Sequence, residues 1–276
     1  MMAPTTQGED RRKGAALFAN SPDFDDPVPL LLLPGTLCDA RIFAPFASVF
    51  ADSPTMDIPI SRAESTTALA RHILARAPSR FALVGFSLGG IVALEIAAIA
   101  PERVMGLALI ATTARADPVK NAAIRRHGVA DARARGLAAH FIDNIWPEST
   151  APANRDDKDL KALAIEMAEA TGVATYAQQV EIAISRADSR LRLRNLKMPT
   201  LVVCGAVDSI CPPSRHTEIA EAIPGAELAI ILGAGHYVLL EAPDAVARHL
   251  SDWLKILSIN TDTLPPRTAR QTKDFQ

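Results

Sequence analysis

The sequence predicts an α/β fold: a mostly parallel sheet of about six strands, helices on both faces, and a helical cap inserted between two of the strands. Three observations carry this. Short apolar runs of strand length alternate with helical patterns along most of the chain. The stretch 114–195 breaks that alternation with helical patterning throughout. Apolar residues make up 49% of the 276 and charged residues 22%, enough apolar material for a core on each side of a sheet.

Taken in order, residues 1–27 are polar and rich in Pro and Asp, and read as a loosely held lead-in. Val28–Gly35, "VPLLLLPG", reads as a buried strand, and "TMDIPI" as a short extended piece. Ser65–Ala77 places Leu69, His72, Ile73 and Arg76 at helical spacing. "RFALVGF" is a strand; Leu88–Ala100 is a helix that Pro101 stops. "VMGLALIAT", "TLVVCGA" and "ELAIILGAG" complete the strands, and Pro243–Leu257 is a closing helix with proline at its start. The predicted organisation is a core of 28–113 and 196–257, a helical cap over 114–195, and a fraying tail over 258–276.

With a net charge of −2, nothing argues for nucleic acid or an anionic membrane as the main partner, and neither is expected. No apolar run approaches membrane-spanning length, and the first residues lack the apolar core of a secretion signal, so a cytoplasmic location is expected. Cys38, Cys204 and Cys211 are too few and too scattered for a disulfide framework or a zinc site; Cys204, in a strand, reads as a small buried hydrophobe.

The chemistry-bearing stretch is Gly85-Phe86-Ser87-Leu88-Gly89, a G-x-S-x-G run where a strand hands over to a helix. A serine projecting from so tight a bend needs neighbours without bulk, and the helix starting beside it aims N–H groups at developing negative charge. A serine hydroxyl attacks only if a base takes its proton. Of six histidines, His72, His127, His140, His216 and His249 lie in helical or charged surroundings and read as surface or cap residues. His236 sits on a Gly-flanked loop just past the last strand, the sheet edge where sites are built. An imidazole base needs a carboxylate to fix its tautomer. Asp208 follows a strand and fits; Asp117, after the preceding strand, is the rival. Glu241 and Asp244 read as loop and helix-start residues. Two backbone donors complete the site: Leu88 N–H, and Thr36 or Leu37 in the loop "LLPGTLCD". No metal or cofactor is called for.

The order Ser87, Asp208, His236 and its contexts resemble the α/β-hydrolase superfamily from about Val28 to Leu257. "PERVMGLALIATTARAD" and "QQVEIAISRADSRLRL" are similar to the small esterases and lactonases grouped with 3-oxoadipate enol-lactonase and MenH-like enzymes. Two departures stand out. Pro34-Gly35 replaces the His-Gly often found at the oxyanion loop, and the lead-in patterns poorly as the usual first hairpin.

The resemblance implies a serine hydrolase that cleaves a small-molecule carboxylic ester or lactone through an acyl-enzyme. The alternatives are carbon–carbon bond hydrolysis or a MenH-like lyase step on the same triad, or a non-enzymatic small-molecule receptor. The cap would set specificity, with Phe141, Trp146 and Tyr176 as candidate aromatic walls. Arg186, Arg190, Arg192 and Arg194 read foremost as a solvated edge, and secondarily as a source of one arginine for a substrate carboxylate.

Overall fold

The structure, a computed structural model, describes residues 27–262, with side chains to 258. Six strands form one sheet: β1 (Leu30–Leu33), β2 (Thr55–Asp57), β3 (Phe81–Phe86), β4 (Val104–Ile110), β5 (Thr200–Gly205) and β6 (Glu227–Ile231). They run in the order β2-β1-β3-β4-β5-β6, and every pair is parallel. No hairpin precedes β1 among the described residues. The predicted lead-in and residues 263–276 of the tail lie outside them.

Between strands run α1 (Thr66–Leu74), α2 (Leu88–Ile99), α3 (Val119–Arg135), α4 (Leu137–His140), α5 (Trp146–Ser149), α6 (Lys158–Ile184) and α7 (Arg190–Leu193). The last part adds α8 (Pro213–Ala222), α9 (Val238–Glu241) and α10 (Pro243–Asp262). Helix α10 continues past Leu257, where the sequence suggested a tail. Helix α8 has no counterpart in the sequence reading. Its ten residues open on Pro213 and close on Ala222 and bury only His216 and Ile219, so no apolar stripe marks the helix in the sequence.

Parallel strands covered on both faces must be apolar on both, and β1, β3 and β5 are buried at every position. Alternate side chains feed two separate cores. Leu30, Leu32, Val84, Phe86, Ala108 and Ile110 pack on one face with Trp253 and Leu257 of α10. Leu31, Leu33, Leu83, Leu107, Leu109 and Val202 pack on the other with α1, α2 and α8. Because every strand points the same way, the loops after β1, β3, β4, β5 and β6 emerge at one edge of the sheet.

The segment between β4 and β5 holds α3 to α7 and no strand. Helix α6 bends at Gly172, whose φ of +76° lies in the left-handed region a glycine enters at little cost. The bend turns the second half of α6, with Tyr176, Gln179 and Val180, to the sheet edge where those loops gather.

Candidate active site

The hand-over from β3 to α2 is a single residue. Ser87 takes φ +52° and ψ −113°, a strained conformation for a residue with a side chain. Its neighbours make the bend possible. A Cβ on Gly85 would lie 2.6 Å from Gly90 Cα, and one on Gly89 would overlap the carbonyl of Leu33. The bend is held from behind: Thr112 Oγ1 donates to the Ser87 carbonyl at 2.8 Å, and Thr112 N–H donates to His216 Nε2 at 2.9 Å. His216 is fully buried, not on the surface or in the cap as the sequence suggested. Burial pushes its pKa down to about 4, so it is a neutral acceptor at pH 7.

Ser87, Asp208 and His236 come together although 121 and 28 positions separate them in the chain. Ser87 Oγ lies 2.9 Å from His236 Nε2, and His236 Nδ1 lies 2.8 Å from Asp208 Oδ2. A carboxylate only accepts, so Nδ1 carries the proton and Nε2 is left to accept from the serine hydroxyl. Asp208 is buried, and its other oxygen accepts the N–H groups of Ile210 (2.9 Å) and Cys211 (2.8 Å). Four bonds thus orient one carboxylate and one imidazole in a water-poor setting.

Asp117, the rival acid, is engaged elsewhere. It pairs with Arg186 at 2.7 Å and Arg125 at 2.9 Å. Arg186 is therefore buried beside the site and not on a solvated edge; Arg190 and Arg192 instead pair with Asp188 and Glu95, nearer the surface.

Of the two loop donors the sequence left open, Leu37 N–H is engaged: it donates to Gln179 Oε1 at 2.9 Å. Thr36 N–H makes no hydrogen bond among the described residues, and Thr36 and Leu88 both line the cavity over Ser87. That cavity has a volume of about 440 Å³. Tyr176 is in its wall; Phe141 and Trp146 are buried in the core instead, Trp146 donating its indole N–H to the Arg155 carbonyl. The aromatic walls the sequence did not single out are Phe86 and Tyr237, each adjacent in the chain to a site residue.

The loop bearing His236 is tied to the helical segment. His236 and Tyr237 N–H both donate to the Ser149 carbonyl, at 2.9 and 3.1 Å. Glu241, read from sequence as a loop residue, is a clamp: Oε1 accepts Gly235 N–H at 3.0 Å, while Oε2 accepts Ala151 N–H and Asn154 Nδ2–H, both at 2.9 Å.

Cys38, Cys204 and Cys211 are free and buried, and burial pushes each thiol up to about 12. Among the described residues no cluster of three or more His, Cys, Asp or Glu is arranged to hold a metal ion, and no helix is long and apolar enough to cross a membrane.

Residues 77–243 match the family described as alpha/beta hydrolase fold. The chain is 31% identical over 59% of its length to the polyketide synthase ThaQ of Burkholderia thailandensis, of which it spans only 8%. It is 28% identical to the pimeloyl-[acyl-carrier protein] methyl ester esterase of Citrobacter koseri, over 66% of this chain and 72% of that one. The structure superposes on the enol-lactonase from Burkholderia xenovorans LB400 with a TM-score of 0.73, covering 86% of this chain and 94% of that one at 22% identity. At that identity the likeness speaks to the fold.

Proposed function

The chain belongs to the alpha/beta hydrolase fold family, and on that premise we propose that it hydrolyses a carboxylic ester or lactone of a small molecule through an acyl-enzyme. The observation that carries this is the continuous relay from Ser87 Oγ through His236 to Asp208, at 2.9 and 2.8 Å.

In this reading His236 Nε2 takes the hydroxyl proton as Ser87 Oγ attacks the carbonyl carbon. Asp208 stabilises the resulting imidazolium without taking its proton. The carbonyl oxygen, now negative, is met by Leu88 N–H at the start of α2 and by Thr36 N–H. Both are fixed before reaction and so cost no reorganisation during it. The imidazolium protonates the leaving alcohol; water then attacks the acyl-enzyme with His236 again as base, releasing the acid and restoring Ser87. Residues 114–195 act as the cap: Ile145, Tyr176, Gln179 and Val180 line the cavity across from Ser87. Relatives named esterase and enol-lactonase agree with ester-like substrates.

The test is a panel of p-nitrophenyl esters and lactones with the wild type and Ser87→Ala, together with fluorophosphonate labelling. Turnover lowered by about three orders of magnitude or more, with labelling lost, is the expected result. Turnover by Ser87→Ala near the wild-type rate would remove the reading.

A further inference from the structure

The cavity over Ser87 carries charge of one sign. Arg115, Arg125, Arg186 and Arg215 line its wall, and among the described lining residues there is no carboxylate. The acids behind them do not balance the set. Asp117, itself buried, is shared by Arg125 and Arg186. Glu218 engages Arg115 at 2.9 Å. The Arg215 guanidinium, half-buried, makes no hydrogen bond or ion pair among the described residues, and Glu218, the acid that feels its charge, is already engaged by Arg115.

Arg186 is the rigid member. Its Nε donates to the Arg115 carbonyl (2.9 Å), its Nη1 to the Ala183 carbonyl (3.0 Å), and its Nη2 meets Asp117. A guanidinium stays protonated even here, so the wall keeps its charge across the working pH range. Partly buried positive charge in excess of its acids, four guanidiniums to two carboxylates, is costly, and a pocket built for a neutral ester gains nothing from it.

We infer that this wall is a subsite for an anionic oxygen group, carboxylate or phosphate, carried by the substrate at the end remote from the scissile carbonyl, with Arg215 as its direct partner and the Arg125–Asp117–Arg186 cluster as the fixed positive field behind it. The inference deepens the esterase reading and rests on it for the position of the reacting carbonyl. The substrates it selects are half-esters of dicarboxylic acids, lactones bearing a carboxylate, or phosphorylated esters.

The experiment compares p-nitrophenyl hexanoate, the mono-p-nitrophenyl ester of adipic acid and p-nitrophenyl 6-phosphonohexanoate on the full chain. The wild type should favour a charged ester in kcat/KM by about tenfold or more, the scale of one hydrogen bond between charged groups, and Arg215→Met should collapse that ratio toward one. Preference for the carboxylate or for the phosphonate tells the two sources apart. Independently of turnover, adipate should raise the Tm of the wild type more than hexanoate does, and this excess should vanish in a folded Arg215→Met. Equal kcat/KM for charged and neutral esters, or an excess that survives Arg215→Met, overturns the inference. If Ser87→Ala leaves turnover intact while the adipate shift persists, the ester reading falls and the anion subsite stands.

Discussion

Gln179 Oε1 accepts the backbone N–H of Leu37 at 2.9 Å. The bond spans 142 residues of chain and joins the bent half of α6 to the loop after β1. Leu37 sits at φ +58°, a conformation that costs a residue with a Cβ about 1 kcal/mol or more. Gln179 is buried, so water does not compete well for that N–H. A helix of the inserted segment thus holds the loop in a conformation in which the neighbouring Thr36 lines the cavity and its N–H makes no hydrogen bond among the described residues.

Replacing Gln179 by Leu should therefore lower kcat by about ten- to a hundredfold, the scale of a misplaced oxyanion donor, with a smaller change in KM. Gln179→Glu keeps the acceptor and should recover part of the loss. Steady-state hydrolysis of a p-nitrophenyl ester measures both, and an unchanged kcat in Gln179→Leu would disconnect Gln179 from the chemistry.

Gly89→Ala should destabilise the chain by about 2 kcal/mol or more, since the new methyl group overlaps the Leu33 carbonyl on a fully buried strand. Urea unfolding reads this directly. A midpoint equal to wild type would mean that the elbow relaxes more freely than its packing implies.

His216 makes a pH signature. Its pKa is about 4 folded and near 6.5 unfolded. The unfolded chain binds the proton first, so the contribution is whole above about pH 6.5 and is lost as pH falls toward 4, by about 3 kcal/mol at most. Unfolding free energies of wild type and His216→Gln should therefore differ in slope across this window, the variant being flatter. Parallel curves would place the acid sensitivity elsewhere.

Glu241→Ala leaves the N–H groups of Gly235 and Ala151 and the Asn154 amide without their acceptor. A loss of about 1–3 kcal/mol is expected, with a drop in kcat because Gly235 precedes His236. Full stability with full activity would show that water replaces the carboxylate without cost.

The four inner strands were readable because burial on both faces leaves continuous apolar runs, while the edge strands β2 and β6, partly exposed, stood out less sharply. Ser87, Asp208 and His236 were readable because each follows a strand at the same edge of the sheet. What escaped depends on where helices return to that edge. Nothing local marks Gln179 off from Gln178, yet one meets Leu37 and the other meets the Arg62 N–H. Arg186 differs from Arg190 and Arg192 only by lying on the inner side of the chain's exit from α6. Phe141 and Trp146 were plausible walls by residue type, but the bend at Gly172 brings Tyr176 to the cavity while they stay in the core. The role of His216 was hidden because α8, which buries only His216 and Ile219 and so shows no apolar stripe, carries it under Thr112.

The bonds from Ser149, Ala151 and Asn154 to the 235–241 loop carry a lesson for protein engineering. Exchanging the inserted helices for those of another family member, to graft a new preference, would sever the Ser149 acceptor and the Ala151 and Asn154 donors that fix the imidazole-bearing loop. A successful chimera must transplant positions 149–154 and 235–241 together, as one cassette drawn from two distant places in the gene.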